Sequence, residues 1–362
     1  LRDAATIIPA SRHFYGEGEI RSWLIEHLAR QRTDGGLEDW IDARGGADKN
    51  TVATDQEASA VLAAFEAVRL AGVDWLREAI AGTPAIERLD RALAFVHRER
   101  RDERLGLITG AHTADWGDVE IVDPDQSAIY AGETTHWTVD IYDQAMFVEA
   151  ARALAALHQR LGDAKRSAAW AERAGAVAAN AGRRLWQEDK GFYRMHLHLD
   201  DLAHSFDEGD IFAMGGNVQA IRAGIADDGK ASRIFKAAVE RQGRFGISTL
   251  SAVLLPPYPA GFFKHPGLDE PYEYQNGGQW DWFGGKLVLE MFRRGAARTA
   301  RDKLLEIARK NVANLGLCEW DAKDGLPRGS DFFSGSAGSL GQARIEGDFG
   351  IRPGRESPSM EP

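Results

Sequence analysis

Three stretches of the chain place carboxylates beside aromatic rings in a way that could support acid/base chemistry. The first is Thr113-Ala114-Asp115-Trp116-Gly117-Asp118. A carboxyl group against an indole ring is partly desolvated, which raises its pKa and lets it stay protonated as a general acid. The alternative for Asp115 is a turn cap, helped by Gly117. The second stretch is Cys318-Glu319-Trp320-Asp321, followed by Asp324, Gly325 and Phe333-Ser334-Gly335-Ser336-Ala337-Gly338. Glu319 could activate a water; otherwise it is a loop acid, and Ser334 is the N-cap of a final helix. The third runs from Tyr274 to Trp282 (YQNGGQWDW). Its glycines permit tight turns while Gln275, Asn276, Trp280 and Trp282 could face a flat, polar ligand such as a sugar. An aromatic plug in the core is the competing reading.

Further polar residues stand just before or inside helices that follow long loops: Arg2, Asp3, Asp55, Trp137, Asp140, Asp207 and Asp210. Asp55 also has a first-turn explanation through the helix dipole. His196, His198, Asp200, Asp201 and His204 raise the question of a metal, because alternate residues of a strand share a face. The spacing offers no convincing further ligand set, so the segment reads as a solvated hairpin, and neither a metal nor a cofactor is expected. His112 and His136 fall in the same loop as the first stretch and could act as bases in sugar isomerisation or epimerisation. Gly-rich phosphate loops and a G-x-S-x-G elbow are absent from the sequence.

Helical periodicity must position these residues. Ala58, Val61, Leu62, Phe65 and Val68 share a face, as do Ile86, Leu89, Leu93 and Val96. Trp137, Ile141, Ala145 and Val148 make another stripe, then Trp170, Ala174, Val177, Ala181 and Leu185, and later Leu304, Ala308, Val312 and Leu315. Thr54 and Glu57 have capping-box spacing, and Thr83 precedes Pro84 at an expected first helical position. The pattern predicts helices over 3–15, 18–32, 55–71, 84–100, 137–161, 165–187, 206–224, 230–241, 278–294, 298–315 and 334–345. Shorter links alternate with long ones: Thr33 to Thr54, Arg101 to His136, Glu188 to Ser205, Gln242 to Gly277 and Gly316 to Phe333. In an up-and-down array, strict alternation puts every long connection at one end, so the candidate chemistry gathers there. Helical hairpins in this number either stack as a solenoid or close into a ring; a ring of six hairpins needs one more helix, expected to be missing at the start.

Composition agrees with a folded, mostly helical chain. Its 362 residues are 44% hydrophobic and 27% charged, so a large core is expected and wholesale disorder is not. The net charge of −11 opposes binding to nucleic-acid phosphates or anionic lipid. The longest apolar runs fall far short of the ~20 residues of a membrane span, and no basic, apolar leader opens the chain. A single cysteine, Cys318, excludes internal disulfides and leaves the compartment open, with the cytoplasm slightly favoured. The proline-bearing tail, 352–362, is expected to be unstructured, with 1–351 forming the catalytic domain.

At the three stretches, and in their order along the chain, the sequence resembles the six-hairpin glycosidases, in particular glycogen-debranching and family 63 type glucosidases. The resemblance implies an all-α (α/α)6 toroid. It implies that Asp115 is the general acid of an Asp-Trp loop, that Asn276 to Trp282 matches an N-G-G-x-W-x-W segment, and that Glu319 is the general base ahead of an F-S-x-S-A element. Arg2 and Asp3, followed by Pro9, resemble an Arg-Asp pair that holds the sugar. Trp116, Trp137, Trp280 and Trp320 would stack on the saccharide, and Asp3, Asp118, Asp140, Asp207, Gln275 and Asn276 would bind hydroxyls. The implied activity is inverting hydrolysis of an α-linked gluco- or manno-configured oligosaccharide. Asp281 departs from the proline common at its position, and the segment after Asp118 is not the pattern of the disaccharide phosphorylases. An epimerase on the same fold and a non-catalytic carbohydrate-binding protein are the alternatives.

Overall fold

The periodic stretches fold largely as their spacing predicts. The computed structural model describes residues 1–121, 129–202, 205–352 and 359–360. They form helices Arg2–Ser11 (α1), Glu17–Ala29 (α2), Gln56–Ala71 (α3), Ala85–Glu99 (α4), Ile141–Leu161 (α5), Ala164–Arg184 (α6), Met214–Arg222 (α7), Asp228–Phe245 (α8), Asp281–Arg293 (α9), Ala297–Ala313 (α10) and Ser334–Gln342 (α11). α11 runs on into a π-helical turn, Ala343–Asp348.

Burial separates two layers. In α6 only the stripe Trp170, Ala174, Val177 and Ala181 is buried, whereas α5, of the same 21 residues, buries 15 of them on all sides. A one-sided stripe marks a helix packed on one face; burial all round marks one enclosed by neighbours. The odd-numbered helices pack in sequence, α1 on α3, α3 on α5, α5 on α7, α7 on α9, α9 on α11, and α11 back on α1. This contact closes an inner ring of six, and the even-numbered helices form the outer layer: the fold is an (α/α)6 toroid. Among the described residues the outer layer has five helices, and between α10 and α11 an apolar groove of about 670 Å³ is lined by Leu304, Val312, Leu315, Ala337 and Leu340.

Every long connection enters an inner helix, so the N-termini of the inner ring point toward one elaborated end. Short antiparallel pairs rigidify this end. Trp137–Asp140 lies between Gly110–Ala111 and His196–His198 in a three-stranded sheet. That strand corrects the helix expected from 137: the run Trp-Thr-Val suits a pleated, half-buried strand, and α5 begins only after Asp140 accepts from the Asp143 amide (2.6 Å). The helix expected from 206 likewise begins at Met214, after a 3-10 turn, Glu208–Asp210, and a short strand, Phe212–Ala213.

The capping box at Thr54 and Glu57 does not form. The Thr54 hydroxyl donates to Asp143, while Glu57 accepts from the Leu37 amide (2.9 Å) and pairs with Lys49 (3.0 Å). Pro84 stands at the N-cap of α4, one position earlier than expected. Most of the tail 352–362 lies outside the described residues; Ile351–Arg352 pairs antiparallel with Ser359–Met360.

Candidate active site

The loop between α4 and α5 carries Asp115 and Asp118, and the fold gives them opposite environments. Asp115 has a positive φ of 62°, which the short side chain of Asp tolerates better than most. That turn drives its carboxylate onto the N-terminus of α7, where the Gly215 and Gly216 amides donate to Oδ2 (2.5 Å) and Oδ1 (2.8 Å). The paired glycines are required: a Cβ on Gly215 would stand 2.5 Å from Asp115 Oδ2. Asp115 is 2% exposed, and burial pushes its carboxyl up to about 7 while the two amides pull it down. The elevated pKa expected of a general acid is present, but the group is held inside the ring with both oxygens engaged. Its carboxylate therefore caps the N-terminus of α7.

Asp118, three residues on, reaches the open end. Its side chain is 43% exposed. Arg2 Nη1 donates to Oδ1 (2.7 Å) and Gln275 Nε2 to Oδ2 (3.1 Å), while the Asp118 amide donates to Gln275 Oε1 (3.2 Å). Arg2, in the first turn of α1, forks its Nε and Nη2 onto Asp55 (2.7 and 2.9 Å), which also accepts from the Tyr142 hydroxyl (2.9 Å). Asp55 is thus an anchor for Arg2, beyond any interaction with the helix dipole.

Glu319 approaches from the last long loop. It is half-buried, and its Oε2 accepts from the Ser330 amide (3.0 Å). Tyr274 stands between the two acids. Its phenol is pushed well above the ordinary value by burial, then by the charges of Asp118 and Glu319. Its ring meets Trp280 and Trp320 edge-on at 5.2 and 6.3 Å, and the Trp280 indole donates to the Tyr274 carbonyl (2.9 Å).

The remaining expected ligands divide. Asp3 is exposed in the first turn of α1, and Trp137 is half-buried in its strand. Trp116 and Trp280 are 3% and 2% exposed and pack edge-on at 5.3 Å, with Phe283 against Trp116 at 4.4 Å. Both are packed in the core. Trp320, at 8%, is nearly as enclosed. Asn276 is fully buried and staples its own loop, accepting from the Tyr258 amide (2.8 Å) and donating to the Leu268 carbonyl (3.1 Å), so it has no face for a hydroxyl. Asp140 is buried as the cap of α5, its carboxyl raised by burial and by Asp143. Asp207 is exposed, pairs with Lys190 (2.7 Å) and caps the 3-10 turn. The residue that sequence reasoning left out of the site is Tyr274, although it opens the YQNGG stretch.

The His-x-His hairpin is not solvated. His196 is 4% exposed and His112 fully buried, and both meet Glu208 Oε1, at 3.2 and 2.9 Å. His198 Nε2 meets Glu208 Oε2 (2.7 Å), and His136 Nε2 meets His198 Nδ1 (2.9 Å). His204 lies outside the described residues. Within the inner ring, a cavity of about 350 Å³ is lined by Arg2, Tyr142, Glu149, Arg222 and Lys286. Burial, followed by the charge of Arg222, lowers Lys286 to about 7.

No family model and no curated protein matches the chain. Solved structures do. An uncharacterized conserved protein from Thermus thermophilus superimposes with a TM-score of 0.67 at 17% identity, covering 95% of this chain and 92% of that one. The GH63 mannosylglycerate hydrolase of the same organism, in complex with glucose, gives 0.65 at 18% identity over 94% and 91%. In complex with Tris and D-glycerate it gives 0.67 at 16% identity over 95% and 92%. The chain has the six-hairpin glycosidase fold, resembling that of family 63.

Proposed function

We propose that this chain is a glycoside hydrolase acting on an α-linked gluco- or manno-configured saccharide, with Asp118 and Glu319 as its acid and base. Asp118 protonates the glycosidic oxygen, and Glu319 deprotonates a water that attacks the anomeric carbon through an oxocarbenium-like transition state, inverting its configuration. The observation that carries this reading is that Gln275 donates to Asp118 (3.1 Å) while the ring of its neighbour Tyr274 meets Trp320 (6.3 Å), next to Glu319, which draws two carboxylates from distant loops toward one another. Arg2, forked onto Asp55, and Gln275 fix the orientation of Asp118. The fold shared with a hydrolase of mannosylglycerate, crystallised with glucose and with D-glycerate, supports a small sugar conjugate as substrate class. The isomerase reading loses its bases, since His112 and His136 are drawn into the histidine cluster around Glu208.

A screen of aryl glycosides and α-linked disaccharides, with NMR detection of the first anomer released, tests activity and stereochemistry together. Inversion requires the carboxyl groups to stand ~6.5–9.5 Å apart across the bound sugar, and retention ~5–5.5 Å. Release of the retained anomer, or turnover surviving in Asp118→Asn, would overturn the assignment.

A further inference from the structure

Four ring systems converge on Glu208 at the elaborated end. His112 follows the strand Gly110–Ala111, His196 and His198 belong to the opposite edge strand of the same three-stranded sheet, and Glu208 opens the 3-10 turn ahead of α7. His112 Nε2, His196 Nδ1 and the Tyr258 hydroxyl all point at a single oxygen, Glu208 Oε1. The Tyr258 hydroxyl also stands 3.3 Å from His196 Nδ1, so the three groups crowd on one carboxylate oxygen and on one another. His196 turns its Nδ1 to Glu208 and leaves its Nε2, on the opposite edge of the ring, buried without a hydrogen-bond partner among the described residues.

The spacing suits a metal better than a proton network. One ligand atom from each of His112, His196 and Glu208 lies within 4.8 Å of the others, and all three residues are buried. Ligand atoms ~2.0–2.1 Å from a tetrahedral zinc ion stand about 3.3 Å from one another; the His112 and His196 nitrogens stand 2.9 and 3.2 Å from Glu208 Oε1. Neutral imidazoles with one carboxylate, and no thiolate, form a nitrogen-rich set that suits zinc and is foreign to calcium or magnesium. His198, on Glu208 Oε2 with His136 behind it, fills the supporting position that orients a ligating carboxylate. A surface cavity of about 490 Å³, lined by His196, His198, Asp200, Phe206 and Glu208, provides the entry path.

We propose that His112, His196 and Glu208 bind a zinc ion, with His198 orienting the Glu208 carboxylate. The ion clamps the loop bearing Asp118 to the 3-10 turn before α7, six residues before the helix end that Asp115 caps. This site is independent of the reaction performed at Asp118 and Glu319.

The test uses the full chain, stripped with a chelator and freed of any histidine tag, then titrated with zinc under calorimetric detection, with elemental analysis of the refilled protein. One equivalent of zinc and a higher thermal midpoint are expected. Glu208→Gln and His196→Ala should weaken binding by about 100-fold or more, and abolish the zinc-dependent rise in midpoint. Should those buried substitutions prevent folding, cobalt titration of the unmodified chain reads the site directly, since four-coordinate nitrogen and oxygen ligation gives intense visible bands. His198→Gln, at a partly exposed position, should alter those bands. Failure of the unmodified chain to take up zinc or cobalt, or uptake unchanged in the Glu208 or His198 variant, overturns the proposal.

Discussion

Two carboxylate centres sit at the same end of the toroid, and each has a tyrosine at its heart. Around Tyr274, Asp118 and Glu319 keep part of their surface open, and their partners come mainly from amides and from one arginine already forked onto Asp55. Around Tyr258, Glu208 is enclosed by imidazoles from two chain segments, and its two oxygens are both engaged. The first centre can exchange protons with a ligand; the second can hold an ion and little else. Carboxylate-aromatic proximity is common to both, so it does not distinguish chemistry from architecture. Access and saturation do. The same lesson appears within one loop, where Asp115 has the raised pKa of an acid and the hydrogen bonds of a helix cap.

The contrast can be broken most severely at the open centre. Asp118→Asn and Glu319→Gln should each lower kcat by at least ~10²–10⁴-fold, while circular dichroism and thermal midpoint stay close to those of the parent. At the saturated positions the effect should fall on stability instead. Asp115→Ala strands two buried amides and should cost about 2–4 kcal/mol in denaturant unfolding, with kcat of the folded fraction retained. If Asp115→Ala abolishes turnover at unchanged stability, the two aspartates must exchange roles.

Gly215→Ala inserts a methyl against Asp115 and should destabilise by about 1–3 kcal/mol. A pH-dependent effect sharpens the comparison from inside the ring. Lys286 titrates near 7 in the folded chain against an ordinary 10.5, so between these values the unfolded chain holds a proton that the folded chain has released. Stability from this group therefore rises as pH climbs from about 7 to 10.5. Lys286→Met should remove that rise and make the protein more stable at and below neutral pH, as unfolding curves across this range would show.

The helices were legible because their signal is local. Ile86, Leu89, Leu93 and Val96 recur at helical spacing and are buried together, and the alternation of short and long links implied a single elaborated end. Part of the neighbourhood was legible: Arg2, Asp118 and Gln275 were singled out, and hydrogen bonds join them. Individual roles were not. Trp116 and Trp280 read equally well as sugar platforms or as core, and only their burial decides. Trp137 fits a helical stripe until its pairing with the histidine strand is known. Tyr274 gave no signal beyond its place at the head of YQNGG.

The order and periodicity of side chains determined the number of helices, the two-layer alternation and the end where loops gather, because each depends on residues a few positions apart. Which of two aspartates meets solvent depended on a left-handed turn and a pair of glycines a hundred positions away. The histidines acquire a common carboxylate only when three loops converge on Glu208. These are distances through space, and they exist only once the inner ring has closed with α11 against α1.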